Sequence, residues 1–221
     1  MKKILAFNGS PRPAGNTSHL LKAFLEGAGA AGADRTVVHS HGLDLKDCTG
    51  CLRCNILQRC SQSGDSWEGL RHRILEADVL VFATPIYFHH LPASLKRVLD
   101  RFRSFAHVRI SETGLVHTPY REWKKDFVLI LSQGSSDPAD SQPLIDLFRY
   151  ICSIMGSGNR LHVITGTRLA MVNQVIKSEE ELGELYRKLG LPEQLSGEDS
   201  WKNRDLLERC YRLGEKLSAP D

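Results

Sequence analysis

The chain has 221 residues, enough for one domain with a substantial core, and its 41% apolar and 25% charged residues are those of a globular protein. A formal charge of +3 leaves no electrostatic footprint for nucleic acid or an anionic membrane. No apolar run approaches the roughly 20 residues of a membrane span, and "ILAF" near the start is too short for a secretory signal, so a cytoplasmic location is expected.

In chain order, "KKILAFNGS" is a short apolar run closing in Asn-Gly-Ser, which predicts a buried parallel strand. "NTSHLLKAFLEGAGAAG" predicts a helix with Thr17 or Ser18 as its N-cap and Leu20, Leu21, Phe24, Leu25 and Ala28 as its apolar stripe. "TVVHSHGL" is a weaker second strand, followed by a Cys-rich loop over 44–64. "SWEGLRHRILEAD" is a helix with Leu70, Ile74 and Leu75 inward. "DVLVFATP" is a β-branched strand stopped at Thr84-Pro85, and "PASLKRVLDRFRSF" is a helix with Pro at its first turn. Residues 106–124 are polar and mixed and predict a loop. "DFVLILSQGSS" is a fourth strand, "PLIDLFRYICSIMG" a helix ended by Gly156, and "RLHVITGT" a fifth strand. "EEELGELYRKLG" and "SWKNRDLLERCYRLGEKL" are amphipathic helices parted by "LPEQLSGED".

Alternating strands and helices imply right-handed crossovers and a parallel sheet. Five strands fit an α/β, doubly wound, flavodoxin-like sheet of order 2-1-3-4-5, in a single domain over 1–221 with a helical extension from about 172. In such sheets ligands bind beyond the carboxyl ends of the strands, where the order reverses.

Three strand-end loops therefore matter. After strand one, "NGSPRPAGNTSH" offers close-folding glycines (Gly9, Gly15), donors on Ser10, Asn16, Thr17 and Ser18, the fork of Arg12, and a helix N-terminus. That is a phosphate cradle without a P-loop lysine, and no GxGxxG fingerprint is present. After strand three, "TPIYFHH" places Ile86, Tyr87 and Phe88 in a loop, where a flat aromatic ligand would cover them. After strand four, Gly134 in "SQGSSD" permits close backbone approach.

"GSPRPAGNTSHLLKAFLEGA", "CTGCLRC" and "EADVLVFATPIYFHHLPASLKRVLDR" resemble the NADPH-dependent FMN reductase family, in its iron–sulfur flavoprotein branch. The resemblance spans roughly residues 1–105 and more loosely "LILSQGSS". It implies FMN, with the phosphate on Ser10, Arg12, Asn16, Thr17 and Ser18 and the ring on Pro85, Ile86, Tyr87 and Phe88 near Gly134. It also implies a homodimer or homotetramer. Two positions depart from the family pattern: His89 stands where glycine is frequent, and "SQSGDS" follows the last clustered cysteine.

Cys48, Cys51, Cys54 and Cys60 are spaced C-x2-C-x2-C-x5-C. Disulfides between such near neighbours are strained. The spacing suits a [4Fe–4S] cluster, with Gly50 relieving crowding and Arg53 and Arg59 offsetting charge; free redox-active thiols or zinc are the alternatives. Cys152 and Cys210 lie on apolar helix faces and read as core. The function expected is an FMN-dependent oxidoreductase passing electrons from NAD(P)H or a ferredoxin to a quinone, flavin or oxygen species. The alternative is a carrier without turnover of its own. No catalytic acid or base is assigned; Tyr87 and His89 are the first side chains to test.

Overall fold

The continuous apolar runs form the centre of the molecule. In the computed structural model, which describes residues 1–219, they are β1 (Lys3–Asn8), β2 (Asp34–His39), β3 (Val79–Pro85), β6 (Asp126–Ser132) and β7 (Arg160–Gly166). All pair in parallel, in the order β2-β1-β3-β6-β7. This is the expected 2-1-3-4-5 order once a separate hairpin, β4 (Ala106–Ser111) and β5 (Gly114–Pro119), is set aside.

Alternate residues of each strand point to opposite faces. Leu5, Phe7, Leu80, Phe82, Phe127 and Leu129 enter one core, where Phe7 and Phe127 both stack on Phe82. The helices α3 (Trp67–Glu76), α4 (Ala93–Arg101) and α5 (Gln142–Met155) cover that face. Ile4, Ala6, Val79, Val81, Val128 and Ile130 enter the other core, under α1 (Asn16–Ala30) and α7 (Leu195–Ser218). Gly27 and Gly214 let α1 and α7 cross in backbone contact: a Cβ on either would collide with the carbonyl of Tyr211 or Phe24. Helix α7 is thus a structural layer of the sheet, joined to β7 through α6 (Glu179–Leu189).

Three expectations are corrected. Residues 106–119 form the antiparallel β4–β5 hairpin, not a loop. The first strand, "AHVRIS", alternates apolar and polar residues as a half-buried strand should, but the second, "GLVHTP", does not, so the pair reads as a loop. Helix α1 starts at Asn16 with Gly15 as N-cap, rather than being capped by Thr17 or Ser18. Helix α7 begins at Leu195, inside the stretch read as a connector. Among the described residues, no helix is long and apolar enough to cross a membrane.

Candidate active site at the carboxyl edge of the sheet

Asn8, the last residue of β1, organises the first loop. Its Oδ1 accepts from the Ser10 N–H at 2.9 Å, and its Nδ2 donates to Ser18 Oγ at 3.0 Å. Ser10 Oγ accepts the Arg12 N–H at 3.1 Å, and the Arg12 carbonyl accepts from Gly15 N–H and Ser18 Oγ. Gly9 passes so close to α4 that a Cβ would sit 2.9 Å from Leu95 Cδ2. The loop is therefore wound tightly in front of α1. That helix has no side-chain cap and no acidic residue in its first turn. The amides of its first turn, which have no intrahelical partner, keep their partial positive charge for something else. Arg12 is exposed, and its guanidinium has no hydrogen bond or ion pair to any described residue.

The five phosphate candidates divide. Ser10 and Arg12 stay on the loop, and Ser18, in the first turn of α1, turns its hydroxyl back to it. Asn16 and Thr17 turn their side chains into the protein. Asn16 Nδ2 donates to the carbonyls of Leu169 (3.1 Å) and Met171 (2.7 Å), and its Oδ1 accepts from the Val175 N–H (3.0 Å). Thr17 Oγ1 and Ser132 Oγ are 2.6 Å apart, which ties α1 to the end of β6. Both residues still present backbone N–H groups in the first helical turn.

The second loop is a tight turn closed by Tyr87 N–H to His90 O (2.8 Å) and His90 N–H to Tyr87 O (3.0 Å). Its central residues, Phe88 (φ 49°) and His89 (φ 62°), are both left-handed. Such turns ordinarily use Asn and Gly, and a bulky residue there costs on the order of 1–3 kcal/mol. The turn holds the Phe88 ring fully in solvent, at 101% relative exposure, with Tyr87 half exposed behind it. His89 Nδ1 lies 3.1 Å from the Asp140 carbonyl, which anchors the turn to the start of α5. The Ile86 N–H donates to Ser132 O, so Pro85, Ile86 and the end of β6 run together. Gly134 follows, exposed, with Ala170 packed against the position a Cβ would take. Beside it Gln133 is 2% exposed and its Oε1 has no partner among the described residues.

A buried polar network behind these loops was not legible in the sequence. Tyr186 O–H donates to Asp199 Oδ2 (2.7 Å), Gln174 Nε2 donates to Tyr186 Oη (2.9 Å), and Arg168 Nε donates to Asp199 Oδ1 (2.8 Å). Burial first, then the Asp199 carboxylate, pushes the Tyr186 phenol up to about 12. Asn203 bonds the Gln174 carbonyl from α7. The C-terminal helices thereby hold segment 168–175, which Asn16 clasps.

The Cys-rich segment follows β2 and carries its own short helix, α2 (Cys54–Leu57). Asn55 pairs with both backbone groups of Val108 on β4, and the Tyr120 hydroxyl donates to the Cys54 carbonyl at 2.5 Å. The hairpin missed in the sequence is thus the wall that fixes this segment. Cys48, Cys51, Cys54 and Cys60 all line one small cavity, with Gly50 in the left-handed region at φ 65°. The guanidiniums on that cavity are Arg101 and Arg103 rather than Arg53 or Arg59, which lie exposed outside it. Arg103 Nη1 reaches Cys54 Sγ at 3.5 Å. Burial pushes the Cys54 thiol up, whereas a Ser61 hydrogen bond pulls the exposed Cys51 thiol down. Among the described residues no three His, Cys, Asp or Glu side chains converge closely enough to hold one metal ion. Cys152 and Cys210 are buried in the two cores.

Two surface clefts, one around Arg71, Tyr120 and Trp123 and one around Lys2, Asp78 and Asp126, contain none of the strand-end loops. The convergent features are a doubly wound parallel sheet, a tightly wound loop before an uncapped helix at its switch point, and aromatic residues on the next strand end. They define the flavodoxin-like class of doubly wound α/β proteins. Residues 2–158 match the NADPH-dependent FMN reductase family, and the chain belongs to that family. It is similar to an iron–sulfur flavoprotein of Archaeoglobus fulgidus, at 36% identity over 101 residues, 46% of this chain and 49% of that protein. The iron–sulfur flavoprotein MJ1083 of Methanocaldococcus jannaschii is 33% identical over 101 residues, 46% of this chain and 52% of that one. The chain spans about half the length of these curated relatives. Among solved structures, the NAD(P)H:quinone oxidoreductase of Methanothermobacter marburgensis shares the fold. Its TM-score is 0.62 at 20% identity, over 98% of both chains.

Proposed function

We propose that the chain is an FMN-dependent oxidoreductase with its flavin at the carboxyl edge of the sheet. The observation that carries this is the anion cradle: an uncapped α1, the hydroxyls of Ser10 and Ser18, and an Arg12 guanidinium with no partner among the described residues. These groups suit a phosphate monoester, which would accept the α1 N–H groups and the Arg12 fork directly, and the Ser10 and Ser18 O–H groups once they turn to it from the Arg12 carbonyl. The ring would lie along Pro85, Ile86, Tyr87 and Phe88 toward Gly134. Gln133 Oε1 beside it, buried and without a partner among the described residues, would accept a ring N–H only on turning outward. Bound flavin supplies hydride and single-electron chemistry; the protein's own part is to bind, orient and shield it. The strained 87–90 turn fixes the aromatic side chains before any ligand arrives.

The electron donor is NAD(P)H or a ferredoxin, and the acceptor a quinone, flavin or oxygen species. The family and the quinone oxidoreductase likeness favour NAD(P)H and a quinone. Cys48, Cys51, Cys54 and Cys60 would hold a [4Fe–4S] cluster. In a cubane each thiolate takes a separate iron, so the donors need to surround a cavity rather than converge on one ion, and here they line one together. The fully exposed Phe88 ring supports assembly as a homodimer or homotetramer that covers it.

Protein purified and assayed without air tests this. NADPH consumption coupled to quinone reduction, dependent on added FMN, is expected. Reduction by a protein donor alone, with no NAD(P)H turnover, would instead favour the carrier.

A further inference from the structure

Arg101 closes α4 and is 1% exposed. Its Nη1 is fully engaged, donating to Asp65 Oδ2 at 2.7 Å and to the Lys46 carbonyl at 2.8 Å. Its guanidinium carbon lies over the Trp67 ring, 5.1 Å from the ring centre. Nε and Nη2 are buried and have no hydrogen-bond partner among the described residues. A guanidinium in the interior ordinarily fills its whole fork, because a buried donor left unmade loses its hydration and gains nothing. Asp65 balances the charge yet occupies one corner of the fork. The remaining donors belong to a residue that lines the same cavity as the four thiols.

We propose that Arg101 donates its free N–H groups to sulfur atoms of a cluster held by Cys48, Cys51, Cys54 and Cys60, and so raises that cluster's reduction potential. The inference rests on the cluster reading above. Hydrogen bonds to cluster and thiolate sulfurs stabilise the form carrying the extra electron, and they are a principal protein control on potential. Asp65 and Trp67 position the guanidinium, so Arg101 acts here as a fixed donor rather than a mobile counter-ion.

The test uses full-length protein reconstituted with iron and sulfide without air. Iron and sulfide analysis comes first: protein that takes up neither removes the cluster reading and this inference with it. With the cluster present, an EPR-monitored redox titration compares wild type with Arg101→Lys, which keeps the charge facing Asp65 but not the planar fork. The reduced-to-oxidised ratio at a fixed potential should fall about tenfold, equivalent to about 59 mV for a one-electron couple. An unchanged potential in cluster-loaded Arg101→Lys overturns the proposal and leaves the cluster reading standing. A measurement needing no Arg101 variant covers the case in which that variant fails to load. In ¹⁵N-arginine-labelled protein, pulsed EPR of the reduced cluster should show a nitrogen coupling that survives Arg103→Lys. Its absence, or its loss with Arg103→Lys, overturns the assignment.

Discussion

Replacing Asn16 by alanine removes three hydrogen bonds between the start of α1 and segment 169–175. The carbonyls of Leu169 and Met171 lose a donor but remain acceptors with two lone pairs, and each loss is worth about 0.5 kcal/mol. The Val175 N–H is different. Val175 is 1% exposed, so its donor is left without a partner, at a cost of about 2 kcal/mol. The sum is about 3 kcal/mol, which for a chain of this size lowers the melting temperature by roughly 6–12 °C. Urea denaturation followed by far-UV circular dichroism measures the first figure, and thermal unfolding the second. FMN affinity should fall with it, because the same residue fixes the first turn of α1. Asn16→Asp should not rescue stability, since it sets a carboxylate against two carbonyl oxygens. A loss below about 1 kcal/mol in Asn16→Ala would refute the view that this side chain clamps the C-terminal segment to the cradle.

Asp65→Ala should destabilise by about 3–5 kcal/mol, because Arg101 is then buried without its counter-charge. Burial opposes ionisation of Asp65, but Arg101 and the N–H groups of Lys46 and Trp67 prevail and hold its carboxyl below the usual range. Its stabilisation is therefore complete above the ordinary carboxyl value of about 4 and is lost as pH falls through the lower folded value. Wild type minus Asp65→Asn stability, measured by urea denaturation, should shrink in that acid window and stay level above it. In metal-free native protein, iodoacetamide should modify Cys51 first. It should leave Cys152 and Cys210 until unfolding, since burial pushes both thiols up to about 12; peptide mass mapping reads the order.

The sheet was legible because its three central strands, β1, β3 and β6, are buried on both faces and so read as unbroken apolar runs, "KILAFN" and "DFVLILS" above all. Strand order followed from the alternation with helices, and the strand ends then located the candidate loops. The hairpin was not legible, because a strand pair exposed along much of its length needs few apolar residues. The division of labour within "GNTS" was hidden too. Asn16 and Thr17 are donors in any sequence pattern, but only the folded chain brings Leu169, Met171, Val175 and Ser132 to them. Arg101 carried one faint sign: its spacing from Val98 sets a basic residue on the apolar stripe of α4, where an arginine is buried only with partners. Those partners, Asp65 and the Lys46 carbonyl, come from the Cys-rich segment some 36 to 55 residues earlier.

The central claim is that the loop from Asn8 to Ser18 holds the phosphate of FMN. Equilibrium titration of flavin-free protein with FMN and with riboflavin, which differs by that phosphate alone, tests it most directly. Two or more charge-assisted hydrogen bonds, at about 1.5–3 kcal/mol each, predict FMN binding at least about a hundredfold tighter than riboflavin. Arg12→Ala should take about a tenfold share of that difference and leave riboflavin unaffected. Equal affinity for the two flavins, or no binding of either, would contradict the account.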